Sequence, residues 1–245
     1  AYIGIWAISP KHLFADNLKD ELWLVAGGVF GGSLYFFTEN TALGITQASN
    51  VAFIICTAPL LTTILSLLFY KSEKATKGLI YGSLLALIGV GLVVFNGSVV
   101  LKLSPVGDLL TLLAALSWAF YSLVIKRMTG RYPTVFITRK IFFYGVLTIL
   151  PAFLLHPLQP DFDVLLQPLV LSNLLFLAVL ASLICYILWN VVLKQLGTMR
   201  ASNYIYLNPL VTMVASVLIL HEQITWITLM GAACIILGVY LAEKK

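Results

Sequence analysis

Eight apolar stretches of about twenty residues run along this chain, at approximately 22–43, 51–70, 78–96, 107–125, 133–155, 170–193, 202–220 and 224–242. An α-helix rises about 1.5 Å per residue, so such a stretch crosses the roughly 30 Å hydrocarbon core of a bilayer once. The run VAFIICTAPLLTTILSLLFY at 51–70 carries no ionisable Asp, Glu, Lys or Arg. Barrel strands are half as long and alternate apolar with polar residues, which these stretches do not. Backbone polar groups in lipid are satisfied within a helix. The reading is an all-α, polytopic transmembrane helical bundle with eight full spans. Composition agrees: 60% of the 245 residues are hydrophobic and 10% charged, against about 25% charged in a soluble domain.

The connections are short and carry turn or terminus residues: Asn96-Gly97, Ser104-Pro105, Gly130 and Pro157. The longest, 156–169, holds three of the nine prolines and reads as an ordered surface loop. Residues 1–9, AYIGIWAIS, are apolar, too short to span, and lack the basic flank of a signal peptide. Cys56, Cys185 and Cys234 all lie in apolar runs and read as small buried thiols. His12, His156 and His221 fall in three separate loops, which argues against a His-based metal cluster.

Numbering the loops alternately separates the basic residues. Twelve fall on one side: Lys11, Lys19, Lys71, Lys74, Lys77, Lys126, Arg127, Arg131, Lys194, Arg200, Lys244 and Lys245. The other side holds Lys102 alone, and Arg139 and Lys140 lie early in the fifth span. Lys and Arg resist translocation, so the rich side is cytoplasmic. This puts the C-terminus in the cytoplasm, in a bacterial inner (plasma) membrane. The formal charge of +5 thereby reads as membrane orientation, and no nucleic acid partner is expected.

The spans also repeat. Ala48-Ser49-Asn50 recurs as Ala201-Ser202-Asn203, Pro59 as Pro209, and Tyr35 as Tyr186. Glu73, Gly82 and Gly89 recur as Glu222, Gly231 and Gly238, each 149 residues on. Spans one to three thus match spans six to eight. Equivalent spans are five apart, an odd number, so the two copies cross in opposite directions, as in transporters with inverted repeats.

The segments GDLLTLLAALSWAFYSLVIKRM at 107–128 and GTMRASNYIYLNPLVTMVASVLILHEQIT at 197–225, followed by Gly231 and Gly238, resemble the drug/metabolite transporter superfamily, specifically its EamA-type branch. The resemblance covers nearly the whole chain. It implies ten helices in two inverted five-helix units, cytoplasmic termini, a central cavity, and export of small metabolites such as amino acids. In that frame residues 1–100 form the first unit, lacking its first helix and most of its second, and 101–245 form the second.

Ionisable side chains at membrane depth usually mark function. Glu39 is the one acid well inside a span. It reads as a cavity carboxylate that binds a substrate amine or exchanges a proton, or as an interfacial Glu hydrated from outside. Tyr35, Glu39 and Ala42 share one helical face, and Tyr186 and Asn190 repeat the spacing of four in the second copy. Arg139 reads either as a clamp for a solute carboxylate or, like Lys140, as a side chain reaching the cytoplasmic headgroups. Trp118, Tyr121, Trp189, Tyr204 and Tyr206 are further candidates for lining a solute site, with packing or interfacial anchoring as the alternative. Asn203 reads as an interhelical hydrogen-bond partner. Pro59 and Pro209 remove a backbone hydrogen bond at equivalent depths and read as paired hinges. Gly27, Gly28, Gly31 and Gly32 form two overlapping GxxxG pairs that invite close helix approach. Trp23, Tyr70 and Trp226 stand at span ends as interfacial anchors.

No HExxH or GxSxG occurs, and Gly89-Val-Gly91 is too weak for a nucleotide fingerprint. The chain is therefore read as a carrier and not an enzyme, with no cofactor. Its expected partners are a small-molecule metabolite and the lipid bilayer, as monomer or homodimer. The alternatives are a non-transporting scaffold, a channel-like protein, or a nucleotide-sugar-type exchanger, which would show several cavity Lys or Arg.

Overall fold

The computed structural model describes residues 14–70, 74–95, 104–155, 162–220 and 225–244. The expectations placed on residues 1–9, on Lys102, on the three histidines and on the Glu73/Glu222 pair lie outside the described residues. Within them the chain is helical and has no strand.

In chain order, α1 (Leu18–Gly28) runs through a π-helical segment (Val29–Ser33) into α2 (Leu34–Ile45). Then come α3 (Ala48–Ile55), α4 (Ala58–Phe69), α5 (Lys77–Phe95), α6 (Pro105–Thr129), α7 (Thr134–Ile149), α8 (Ala152–Leu155) and α9 (Phe162–Leu165). The helix α10 (Pro168–Leu175) continues through a second π-helical segment (Phe176–Ile184) into α11 (Cys185–Leu196). Next are α12 (Thr198–Asn203), a 3₁₀ turn (Tyr204–Leu207), α13 (Asn208–Leu220) and α14 (Trp226–Glu243). Among the described residues, five helical segments are long and apolar enough to cross a membrane: Ala48–Phe69, Lys77–Phe95, Pro105–Thr129, Pro168–Leu196 and Trp226–Glu243. The other three expected spans also fall on helix, but 133–155 breaks at Leu150–Pro151 and 202–220 breaks at the 3₁₀ turn. The stretch 22–43 is helical throughout and is diluted by four glycines and Glu39.

The chain divides into two compact units, and each draws on both halves of the sequence. One takes in the described residues up to Leu34 together with Val124–Gln195; the other takes in Tyr35–Leu123 and the described residues from Leu196 onward.

In the first unit α1 packs on α7. Asn17 caps α1, its side-chain oxygen accepting the Asp20 N–H at 2.8 Å. A Cβ on Gly28 would stand 2.5 Å from Tyr144 Cβ and 2.8 Å from the Gly145 nitrogen, so only glycine permits this approach. Ser33 and Thr148 share a hydroxyl hydrogen bond of 2.8 Å across the same pair. The Tyr186 hydroxyl donates to the Gly31 carbonyl at 2.7 Å, inside the first π segment.

In the second unit α5 and α14 lie against each other and run antiparallel. Gly82 meets Gly238, and Gly89 meets Gly231. The core beside this crossing contains Cys56, Ala86, Val90, Tyr206, Ile235 and Val239. Ser83 donates to Asn203 Oδ1 at 2.9 Å, the interhelical bond expected of Asn203, and Ser66 pairs with Thr198 at 3.1 Å. Of the three thiols, Cys56 is buried, but Cys185 is exposed and Cys234 intermediate. The expectation of three buried thiols is thus corrected: Cys185 lies on Pro168–Leu196, which turns most of its apolar surface outward, and Cys234 lies on α14, half-buried.

Candidate functional site

Glu39 lies one helical turn after Tyr35 on α2, and this spacing stacks the two side chains on one face. The Tyr35 hydroxyl donates to Glu39 Oε1 at 3.0 Å. The Tyr35 ring packs against Trp118 of α6 with centroids 5.1 Å apart, and Trp118 packs in turn against Tyr121 at 5.1 Å. Four of the residues singled out in the sequence therefore form one continuous aromatic and carboxylate row in the second unit. Tyr121 is fully buried, so it supports this row from behind.

Glu39 also borders a cavity of about 660 Å³, within the usual range of small-molecule sites. The first turns of α3 and α14 and the late turns of α5 contribute Ser49, Thr228 and Val93. From α13 come Asn208, Pro209 and Thr212. Most of the remaining wall is aliphatic. Among the described lining residues Glu39 is the one acid, and neither Lys nor Arg occurs. Sequence reasoning singled out Glu39 and Pro209 but passed over Asn208, Thr212 and Thr228 as site residues. Their spacing offered a faint signal, since Asn208 and Thr212 sit one turn apart beside Pro209 in an apolar run.

Both proline positions mark helix breaks. Cys56–Thr57 interrupts the helix just before Pro59, which stands in the first turn of α4. The 3₁₀ turn Tyr204–Leu207 interrupts it just before Pro209 in the first turn of α13. Tyr206 is fully buried in the core, whereas Tyr204 is exposed.

The other candidates belong to the first unit. Tyr186 is buried with its hydroxyl on Gly31, and its ring packs on Phe142 at 5.2 Å. Asn190 is fully buried and donates to Thr138 Oγ1 at 2.8 Å. Trp189 is half-buried beside it. Arg139 is buried, with its guanidinium carbon 5.3 Å from the Phe136 ring centroid. Lys140 does not reach outward to headgroups. It is buried and ion-paired with Glu21, whose carboxylate also accepts from the Tyr144 hydroxyl.

That pairing belongs to a polar cluster around the start of α1. Arg131 Nη1 sits 3.0 Å from Asp20 Oδ1, and the Tyr132 hydroxyl donates to Asp20 Oδ2 at 3.1 Å. Burial works against the charged form of Asp20. The hydrogen bonds from Arg131, Asn17 and Tyr132 outweigh it and hold the carboxyl below the ordinary Asp range. Glu21 is treated alike: burial opposes ionisation, while Lys140, Tyr144 and the Ala15 N–H overcome it and lower the pKa. Both acids also occupy the first turn of α1, where the helix dipole favours negative charge.

Known proteins resemble this chain along nearly all of its length. The EamA-like transporter family matches residues 1–95 and 105–243. An uncharacterized transporter of Archaeoglobus fulgidus is 26% identical over 98% of this chain and 82% of its own length. The uncharacterized transporter YyaM of Bacillus subtilis is 30% identical over 95% of this chain and 75% of its own. A probable amino-acid metabolite efflux pump of Salmonella typhimurium is 27% identical, covering 95% and 80% respectively. A crystal structure of a protein at 19% identity superposes with a TM-score of 0.74, covering 91% of this chain and 75% of that one, and shows the same fold. With its long apolar helices and these matches in both halves, the chain is a multi-pass membrane protein that belongs to the EamA-like transporter family.

Proposed function

We propose that this membrane transporter of small metabolites is a secondary carrier that exports amino-acid-like solutes by alternating access, with Glu39 binding the solute and exchanging a proton. The observation that carries this reading is the 660 Å³ cavity bordered by Glu39. A carboxylate inside an otherwise apolar span is costly to insert, by about 2.5–3.5 kcal/mol on insertion scales, and is retained where it works. Tyr35 orients it, and Trp118 and Tyr121 back the tyrosine.

Alternating access draws support from the glycine pairs. If Gly82 corresponds to Gly231 and Gly89 to Gly238, a two-fold relation brings each glycine against the counterpart of the other. The contacts Gly82–Gly238 and Gly89–Gly231 have that form, on helices running oppositely. The two copies, 1–100 and 101–245, are then inverted. The helix breaks before Pro59 and Pro209 serve as their hinges. Tyr186, Trp189, Asn190 and Arg139 in one unit, and Tyr204 and Tyr206 in the other, serve the solute path or its support. Export agrees with the name of the Salmonella relative.

Counterflow in liposomes with the full-length protein, comparing amino acids, sugars and nucleotides, tests the carrier reading. Saturable, solute-specific flux is expected; flux no greater than in empty liposomes for every solute class would end it. Glu39→Gln is expected to flatten the pH dependence of transport, and an unchanged pH profile removes Glu39 from proton exchange.

A further inference from the structure

The cavity beside Glu39 has a one-sided electrostatic character that separates two kinds of amino-acid-like solute. An amino acid brings an ammonium and a carboxylate. Glu39 answers the first: a carboxylate accepts at about four lone-pair positions, and the Tyr35 hydroxyl occupies one of them. For the second there is no cationic partner among the described lining residues.

The neutral donors are also few. Thr212 already gives its hydroxyl to the Asn208 carbonyl at 3.1 Å, and the Thr225 and Thr228 hydroxyls share one hydrogen bond of 3.0 Å in which either can donate. Ser49, Asn208 and, when Thr225 is the donor, Thr228 remain as neutral donors in a wall that is mostly aliphatic. Among the described lining residues none would offset a solute carboxylate placed here in the field of Glu39. Burying an unpaired ion is among the costliest arrangements a site can hold.

We propose that the solute of this cavity is a monocationic amine with an apolar body and no carboxylate, an amine of the kind left when an amino acid loses its carboxyl group. This rests on the cavity being the solute site. The ammonium pairs with Glu39, and the apolar body packs on the aliphatic wall.

Three probes share one ring and differ in charge: phenethylamine, phenylalanine and 3-phenylpropionate. Binding of each to the purified full-length protein is measured by calorimetry at neutral pH, and counterflow of each is measured in liposomes. Phenethylamine is expected to bind at least about tenfold more tightly than phenylalanine, a difference of about 1.4 kcal/mol, with 3-phenylpropionate weaker still. Glu39→Gln is expected to weaken phenethylamine at least about tenfold and to strengthen 3-phenylpropionate, whose carboxylate no longer meets the field of Glu39. The wild-type ranking decides the matter even if that variant fails to fold.

Phenylalanine binding as tightly as phenethylamine overturns the proposal, as does phenethylamine binding that ignores Glu39→Gln, or no binding of any probe. If phenylalanine shows saturable counterflow while phenethylamine shows none, the amine proposal fails and the carrier reading survives. If phenethylamine binds through Glu39 and no solute shows saturable flux, the carrier reading fails and the chemistry of the cavity stands.

Discussion

Lys140 and Glu21 form a charged pair whose side chains are 4% and 14% exposed. Such a pair adds little net stability, but removing one partner strands the other. Lys140→Met is therefore expected to lower stability by roughly 2 kcal/mol, below the 3–5 kcal/mol of a fully buried pair because Glu21 keeps some access to water. Lys140→Met combined with Glu21→Gln is expected to recover most of that loss in detergent thermal melts; a double variant as unstable as the single one would contradict the pairing argument. Acid acts on the same cluster. A carboxyl whose folded pKa is depressed stabilises the fold fully above its unfolded value, near 3.8 for Asp and 4.5 for Glu, and loses that contribution as pH falls toward the folded value. The wild-type melting temperature is thus expected to drop between about pH 5 and about pH 3, and Asp20→Asn with Glu21→Gln should flatten the drop. Legibility at this scale followed distance along the chain. Tyr35 and Glu39 stand four apart, so helical spacing alone put them on one face, where the Tyr35 hydroxyl meets the carboxylate. Lys140 and Glu21 come from different helices, and no periodicity links them; the sequence pointed Lys140 toward headgroups instead.

Helices in lipid cannot be held together by expulsion of water, so close backbone approach carries more of the contact. At the α5–α14 crossing a Cβ on Gly238 would stand 2.5 Å from the Ala86 nitrogen and from the Gly82 carbonyl oxygen. Backbone cannot step aside as a flexible side chain can. Gly238→Leu is expected to cost at least the roughly 1–3 kcal/mol of an overpacked core, read as a lower melting temperature or loss of the monodisperse peak on size exclusion. Gly44, with nothing within 4 Å of its would-be Cβ, is the control, and Gly44→Leu should melt as the wild type does. Equal tolerance of both changes would refute the close-packing account. Hydropathy revealed where the helices lie, and the prolines revealed two of their breaks. The π segments Val29–Ser33 and Phe176–Ile184 left no trace in the pattern, because helices apolar nearly all round lose no amphipathic phase when a residue is inserted. Both segments end two residues before a tyrosine, Tyr35 and Tyr186. Tyr186 gives its hydroxyl to a carbonyl of the first segment; Tyr35 gives its own to Glu39. The two tyrosines thus take different partners, a backbone carbonyl for Tyr186 and a carboxylate for Tyr35.

For the molecule as a whole, sequence order suggested two consecutive halves, while the compact units interleave. Part of this comes from α5 and α14, which are far apart in the sequence and pack on each other within one unit. The two ends of that pair differ in their residues. The α5 end bearing Lys77 and Gly78 lies beside the α14 end at Leu241 and Lys244, a Cβ on Gly78 falling 3.4 Å from the Lys244 carbonyl oxygen. The opposite end carries Trp226, 82% exposed, and the cavity residues Ser49, Val93 and Thr228. If the Lys-rich end faces the cytoplasm, the cavity belongs to the outer half of the membrane. In a background with Cys56, Cys185 and Cys234 replaced by alanine, a membrane-impermeant maleimide should label Trp226→Cys in intact cells. It should label Lys244→Cys only after the membrane is permeabilised. Ser49→Cys should label from outside, and a bound solute should slow that labelling. Labelling of Lys244→Cys in intact cells with Trp226→Cys protected would reverse the orientation, and the cavity would then belong to the cytoplasmic side, where it would collect solute instead of releasing it.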